Sequence, residues 1–234
     1  MRFSPVKKEK ISDVVTEKLK EAILSGNFKP GYKFPSEREL GGQFQVSRIV
    51  IRESLRKLEA IGLLIIKRGS GMFVAASDSG AISDALINAL KIQRVDIEEI
   101  TEARLTMEPA VARLAAEKIT HEYINVLKAN IDEAQDLVNK NSIAKDKNID
   151  FHGLIAEATQ NRVVRLSMKS VLNSVRKIHT PDKFQSERDQ AAISFHKKIF
   201  KAIKEKNPQK TEELMRKHIM KVRGLLQSTE KTKV

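Results

Sequence analysis

The chain has 234 residues, 41% hydrophobic and 31% charged, enough apolar material for one large core or two small ones. Its 43 Lys and Arg against 30 Asp and Glu leave a formal charge of +13, which favours a polyanionic partner, nucleic acid before a membrane surface. The absence of cysteine excludes disulfides and thiolate metal sites; no apolar run approaches the roughly 18 residues of a membrane span, and no secretory core follows Met1, so a cytoplasmic protein with no membrane partner is expected.

The basic excess is denser at the start, where residues 1–78 hold 15 basic and 9 acidic side chains. Ile11, Val14, Val15, Leu19, Ala22 and Ile23 give an apolar face and predict a first helix over residues 11–25, ended by Gly26. Residues 29–35, with Pro30, Gly31 and Pro35, read as an extended connection. Ser36-Glu37-Arg38-Glu39 is a capping box, so a second helix starts there and runs to about Phe44. Ser47 caps a third helix reaching about Ala60, and two short helices around a tight turn make a helix-turn-helix.

In the third helix Ile51, Leu55 and Leu58 take the core face, while Arg48, Arg52 and Arg56 repeat every fourth residue on another. The start of such a helix enters the major groove, where Arg bonds guanine O6 and N7 in pairs and free helix N–H groups meet phosphate. A solvated charged face, with Glu53 and Glu59 pairing some of these arginines, is the competing reading. Leu63-Leu64-Ile65-Ile66 and Met72-Phe73-Val74, around Lys67-Arg68-Gly69-Ser70-Gly71, predict a hairpin with a basic base. Residues 75–80 are small and polar, a natural linker.

The run Phe34-Pro-Ser-Glu-Arg-Glu-Leu40, then Val46-Ser-Arg48, Ile51-Arg-Glu-Ser-Leu55, Leu58-Glu-Ala-Ile-Gly-Leu63 and Gly69-Ser-Gly-Met-Phe-Val74 resembles the GntR family of bacterial regulators. The resemblance implies a winged helix-turn-helix over residues 1–76. It implies DNA contacts from Arg38, Arg48 and Arg52, and approach of Gly71, at the wing tip, to the minor groove. Ser47 at the helix start and Lys67 and Arg68 at the wing base complete the expected DNA set, the last two on phosphates. Gly41 and Gly42 stand where the family prefers helix formers, each costing up to ~1 kcal/mol of propensity. Gln45 stands where the family's turn usually has glycine.

Beyond the linker the pattern is helical throughout: about seven helices, at 81–91, 96–118, 121–139, 146–158, 161–178, 187–206 and 209–227, with a frayed tail after them. The first, with the linker, occupies residues 77–95; the effector-binding and dimerisation domain is expected over 96–228 and the tail over 229–234. The fold class is thus mainly α, a winged helix-turn-helix followed by an all-α bundle. Three of these helices each turn one histidine inward: His152 among Ile149, Ile155 and Ala156; His196 among Ala192, Ile199 and Ile203; His218 between Leu214 and Val222. One such residue alone reads as a hydrogen-bonded core histidine; three together suggest a divalent metal held by imidazoles. Asn148, one turn before His152, is the candidate fourth ligand, whereas Asp150 falls on the opposite side of the helix. Arg104 shares a face with Ile97, Ile100, Met107 and Val111, and a guanidinium there needs an anion, supplied by Glu108 one turn on or by a ligand.

Glu102-Ala-Arg104-x-x-x-Glu108, Asn148-x-x-Phe-His152, His196-x-x-Ile-x-x-Ala-Ile203 and Met215-Arg-Lys-His218 resemble the FCD effector domain of the FadR-like GntR branch. That resemblance implies a homodimer, Arg104 on an effector carboxylate, and a metal at Asn148, His152, His196 and His218. Zinc is the first candidate, with nickel and manganese as alternatives. The expected protein is a repressor of an inverted-repeat operator on double-stranded DNA, controlled by a small organic or sugar acid. Two rivals differ in class: a metal-dependent hydrolase, against which stands the lack of an H-E-x-x-H motif, and a sequence-tolerant architectural DNA binder.

Overall fold

Two units make up the chain, residues 1–82 and 83–234, and the structure, a computed structural model, describes residues 10–75, 80–178 and 185–231. The predicted loop at 180–184 lies outside the described residues, as does most of the linker at 75–80.

The first unit consists of α1 (Ile11–Leu24), α2 (Glu37–Phe44), α3 (Arg48–Ala60), β1 (Leu64–Lys67) and β2 (Gly71–Val74). The capping box forms as expected: Ser36 Oγ accepts from Glu39 N, and the Glu39 carboxylate accepts Ser36 N at 2.8 Å. Gln45 ends α2 in the left-handed region, φ 54°, where glycine is unstrained. Just before it, a Cβ on Gly41 would stand only 3.3 Å from Val46 O, and Val46 N donates to Gly41 O at 3.1 Å. The glycine thus lets the turn fold close against α2, which sets against its poor helix propensity. Ser47 Oγ then caps α3 by accepting Val50 N.

α1 departs from its sequence pattern. Ile11 and Val14 are 60% and 40% exposed, while Ser12 and Thr16 are buried. Packing against α3 decides this: Ser54 Oγ donates to Ser12 O at 2.8 Å, and Ser12 Oγ donates to Glu53 at 2.9 Å. Buried hydroxyls with partners cost little, so a polar contact sets the rotation of the helix. Below it Leu19, Phe34, Leu40, Ile51, Leu55, Leu58 and Leu64 form the core. The wing pairs Leu64 with Val74 through Lys67 with Gly71, antiparallel. The extended connection before α2 lies along β2, with Phe34 N bonded to Met72 O at 2.7 Å and a bridge from Lys33 to Phe73.

Among the described residues seven helices follow, the first beginning two residues before the second unit and the rest within it: α4 (Ala81–Ile92), α5 (Ile97–Lys118), α6 (His121–Asn139), α7 (Lys145–Ala158), α8 (Arg162–Ile178), α9 (Gln185–Lys204) and α10 (Pro208–Lys231). α10 therefore continues into the stretch expected to fray; residues 232–234 lie outside the described ones. α7 is the central element. Phe151 and Ile155 join one core with Ile131, Ile199, Ile203 and Ile219. Ile149 and Ala156 join a second with Ile100, Met168 and Leu172. A helix buried on two sides holds its side chains in fixed directions, and His152 lies on it. No helix among the described residues is long and apolar enough to cross a membrane.

Candidate functional site

The three inward histidines meet. His218 Nε2 lies 3.2 Å from His152 Nε2 and 3.3 Å from His196 Nε2, and the ligand atoms of all three fall within 4.8 Å of one another. Imidazole nitrogens at about 2.0–2.1 Å from a tetrahedral zinc stand roughly 3.3–3.4 Å apart and those at an octahedral one roughly 2.8–3.0 Å, so two of the three spacings already fall in range. All three rings are buried, and His196 stacks on Phe151 with centroids 4.0 Å apart. Burial, then the neighbouring histidines and Arg104, push the pKa values of His196 and His218 well below 6.5. Both rings are neutral at pH 7 and offer lone pairs.

Behind the cluster, His152 Nδ1 lies 2.5 Å from Glu108 Oε2, off the line of an ideal hydrogen bond. Glu108 Oε1 accepts from Arg104 Nε, also at 2.5 Å. Burial drives the Glu108 carboxyl up, but the Arg104 guanidinium and the contact with the His152 ring outweigh it, and its pKa stays far below the usual carboxylate range. A carboxylate on Nδ1 directs the Nε2 lone pair of His152 toward the other two histidines. Arg104 thus has the internal anion that the sequence allowed, and it also lines the cavity beside the histidines. That cavity, ≈ 80 Å³, has cationic groups from Arg104, Lys145 and Arg188 in its wall, with Ile97 and Val222 among its apolar lining. One water needs ~10–15 Å³ in the same measure, so there is room for an ion and several ligand atoms.

Asn148 lines this cavity too. Its Nδ2 donates to Asp189 Oδ1 at 2.8 Å, a contact that fixes which way the amide points, and its Oδ1 is buried with no hydrogen-bond partner. An acceptor left open beside three imidazoles suits a metal. Asp189 also takes Ala144 N at the start of α7 and Gln185 Nε2, each at 2.8 Å. The sequence reading missed Asp189 and the Glu108–His152 contact. Asp189 lies seven residues before His196, two helical turns, so periodicity alone places both on one face. Asp150 points away, to Arg176.

In the first unit Arg38, Ser47, Arg48, Arg52 and Arg56 are exposed on α2 and α3, as are Lys67 and Arg68 on the wing. Arg52 is held by Glu37, Nε to Oε1 at 3.0 Å and Nη2 to Oε2 at 2.7 Å. Glu53 turns instead to Lys57 and Ser12, and Glu59 to Ile66 N, so neither takes an arginine. Gly71 has φ 106°, and a Cβ there would meet Lys33 Cε at 3.1 Å. Only glycine fits that tip without strain.

Comparisons agree with this architecture. Residues 11–74 match the bacterial regulatory proteins of the gntR family, and residues 99–221 match the FCD domain. The chain is 30% identical over 211 residues to the HTH-type transcriptional regulator LutR of Bacillus subtilis, covering 87% of this chain and 95% of that one. It is 27% identical over 238 residues to the HTH-type transcriptional repressor NanR of Klebsiella aerogenes, covering 100% of this chain and 92% of NanR. Among solved structures, a GntR protein of Streptococcus agalactiae superposes with a TM-score of 0.71 at 26% identity, covering 91% of this chain and 99% of that one. The chain belongs to the GntR family of bacterial transcription regulators, with a gntR domain followed by an FCD domain.

Proposed function

We propose that this regulator is a homodimeric repressor that releases or engages an inverted-repeat operator in response to a small organic or sugar acid bound at a divalent metal. Residues 1–76 serve DNA and residues 96–228 serve the effector. The observation that carries the effector half is the meeting of the buried His152, His196 and His218 on one cavity, with a carboxylate behind His152. These histidines would hold a divalent metal through Nε2, with Asn148 Oδ1 as the further donor, and zinc suits the set first, nickel or manganese next. A metal held there would supply a Lewis acid for the effector's carboxylate. Arg104 fixes Glu108, while Lys145 and Arg188, beside Asp189, bring cationic groups to the cavity wall, which favour an anion.

On DNA, Arg38, Ser47, Arg48 and Arg52 serve the major groove, Lys67 and Arg68 the phosphates, and Gly71 the close approach of the wing. The exposure of Arg38, Ser47, Arg48, Arg52, Lys67 and Arg68, and the positive φ of Gly71, support that assignment. The deciding experiment uses protein purified without a histidine tag or chelator: elemental analysis, then melting curves across a panel of organic and sugar acids with and without zinc. An acid that raises Tm only when zinc is present supports the reading. Shifts of equal size with and without zinc overturn the metal.

A further inference from the structure

We infer that Ile49 reads a thymine methyl group in the major groove, an inference that rests on the DNA assignment proposed above. α3 carries five large apolar residues. Ile51, Leu55 and Leu58 are fully buried and Val50 is half-buried, yet Ile49 is 76% exposed. It occupies the second position of the helix, and Arg52 and Arg56 follow it at three and seven residues, on the same face. Arg48 precedes it, exposed. An apolar side chain among exposed guanidiniums fits a polyanion that also offers an apolar spot. Duplex DNA has one such spot in its major groove, the C5 methyl of thymine. A second copy of this face would bring the same arginines together and be repelled. Ile is also β-branched and stiff at χ1, so holding it against a methyl costs little side-chain entropy. Beside it, the paired bond from Arg52 to Glu37 keeps the neighbouring guanidinium in a fixed direction.

The test uses the full-length protein and its Ile49→Ser variant, each selecting sites from random duplex DNA at one salt concentration. Thymines of the wild-type site are then replaced singly by deoxyuridine, which removes only the methyl. One thymine per half-site is expected whose replacement weakens wild-type binding about 4-fold, the factor for one buried methyl-sized group. Ile49→Ser should show no loss at that thymine and no base preference there. A wild-type site without any methyl-sensitive thymine overturns the inference, with no variant needed. So does equal sensitivity in Ile49→Ser. An unchanged DNA preference with an altered sedimentation coefficient for Ile49→Ser also overturns it, assigning the side chain to a protein contact. Failure of the wild type to enrich any sequence overturns the DNA reading itself, a distinguishable result.

Discussion

His152 stands between a carboxylate and another imidazole: its Nδ1 lies 2.5 Å from Glu108 Oε2 and its Nε2 lies 3.2 Å from His218 Nε2. The ring is therefore oriented from outside the cluster, by a residue on α5, before any ion enters. Glu108→Gln keeps the shape and an acceptor for Arg104 but removes the charge. Zinc affinity should fall about 10- to 100-fold, the usual cost of losing an outer carboxylate on a ligating histidine. Competition with a chromophoric chelator measures it; an unchanged affinity would detach Glu108 from the cluster's function.

Arg104→Met should destabilise the protein by about 3–5 kcal/mol, because it strands the buried Glu108 carboxylate. Both partners are buried, Arg104 at 6% and Glu108 at 2% exposure, so water cannot take over. The double change Arg104→Met, Glu108→Leu should recover most of the stability while zinc binding stays weak, since His152 has lost its carboxylate. Denaturant melts of the two variants separate the effects. A single variant as stable as wild type would mean that Arg104 awaits an external anion.

Acid should unfold the chelated protein early. His196 and His218 have folded pKa values below the 6.5 of the unfolded chain, chiefly through burial. Their contribution is fully present above pH 6.5 and is lost as pH falls, since only the unfolded state then takes up protons. Each adds at most about 1.4 kcal/mol per pH unit to the slope of stability. His196→Gln should lower that slope by about half a proton at pH 6.5, rising to nearly one at pH 5.5, measured by urea melts in chelator. Saturating zinc should steepen the acid loss, because protons compete with the ion.

On DNA, Arg52→Ala should cost about 1–3 kcal/mol and relax preference at one base pair. Neutralising Lys67 and Arg68 together should lower the salt slope by roughly 2 without changing sequence preference. Fluorescence anisotropy on a selected duplex and a mutated one, across a salt series, checks both. Equal binding of the two duplexes by wild type and Arg52→Ala would remove α3 from the groove.

Much of the fold was legible in the chain because its causes are local. Ser36 and Glu39 reach each other across one helical turn, and Ser47 reaches Val50 N, so the starts of α2 and α3 follow from neighbouring residues alone. The helix expected at 121–139 is α6, His121–Asn139, and the inward sides of His152, His196 and His218 follow from a period of 3.6. The contacts that make these residues a site span far greater separations. Glu108 meets His152 across 44 positions, Asn148 meets Asp189 across 41, and Glu37 takes Arg52 across 15. The rotation of α1 was likewise set by Ser54 and Glu53 on another helix rather than by its own apolar pattern. Periodicity and capping act within about one turn and determine which way a side chain faces. Which partner it meets depends on how helices pack, and for buried groups such as Glu108, His152 and Asp189 the cost of leaving a charged or polar atom without one made those meetings decisive.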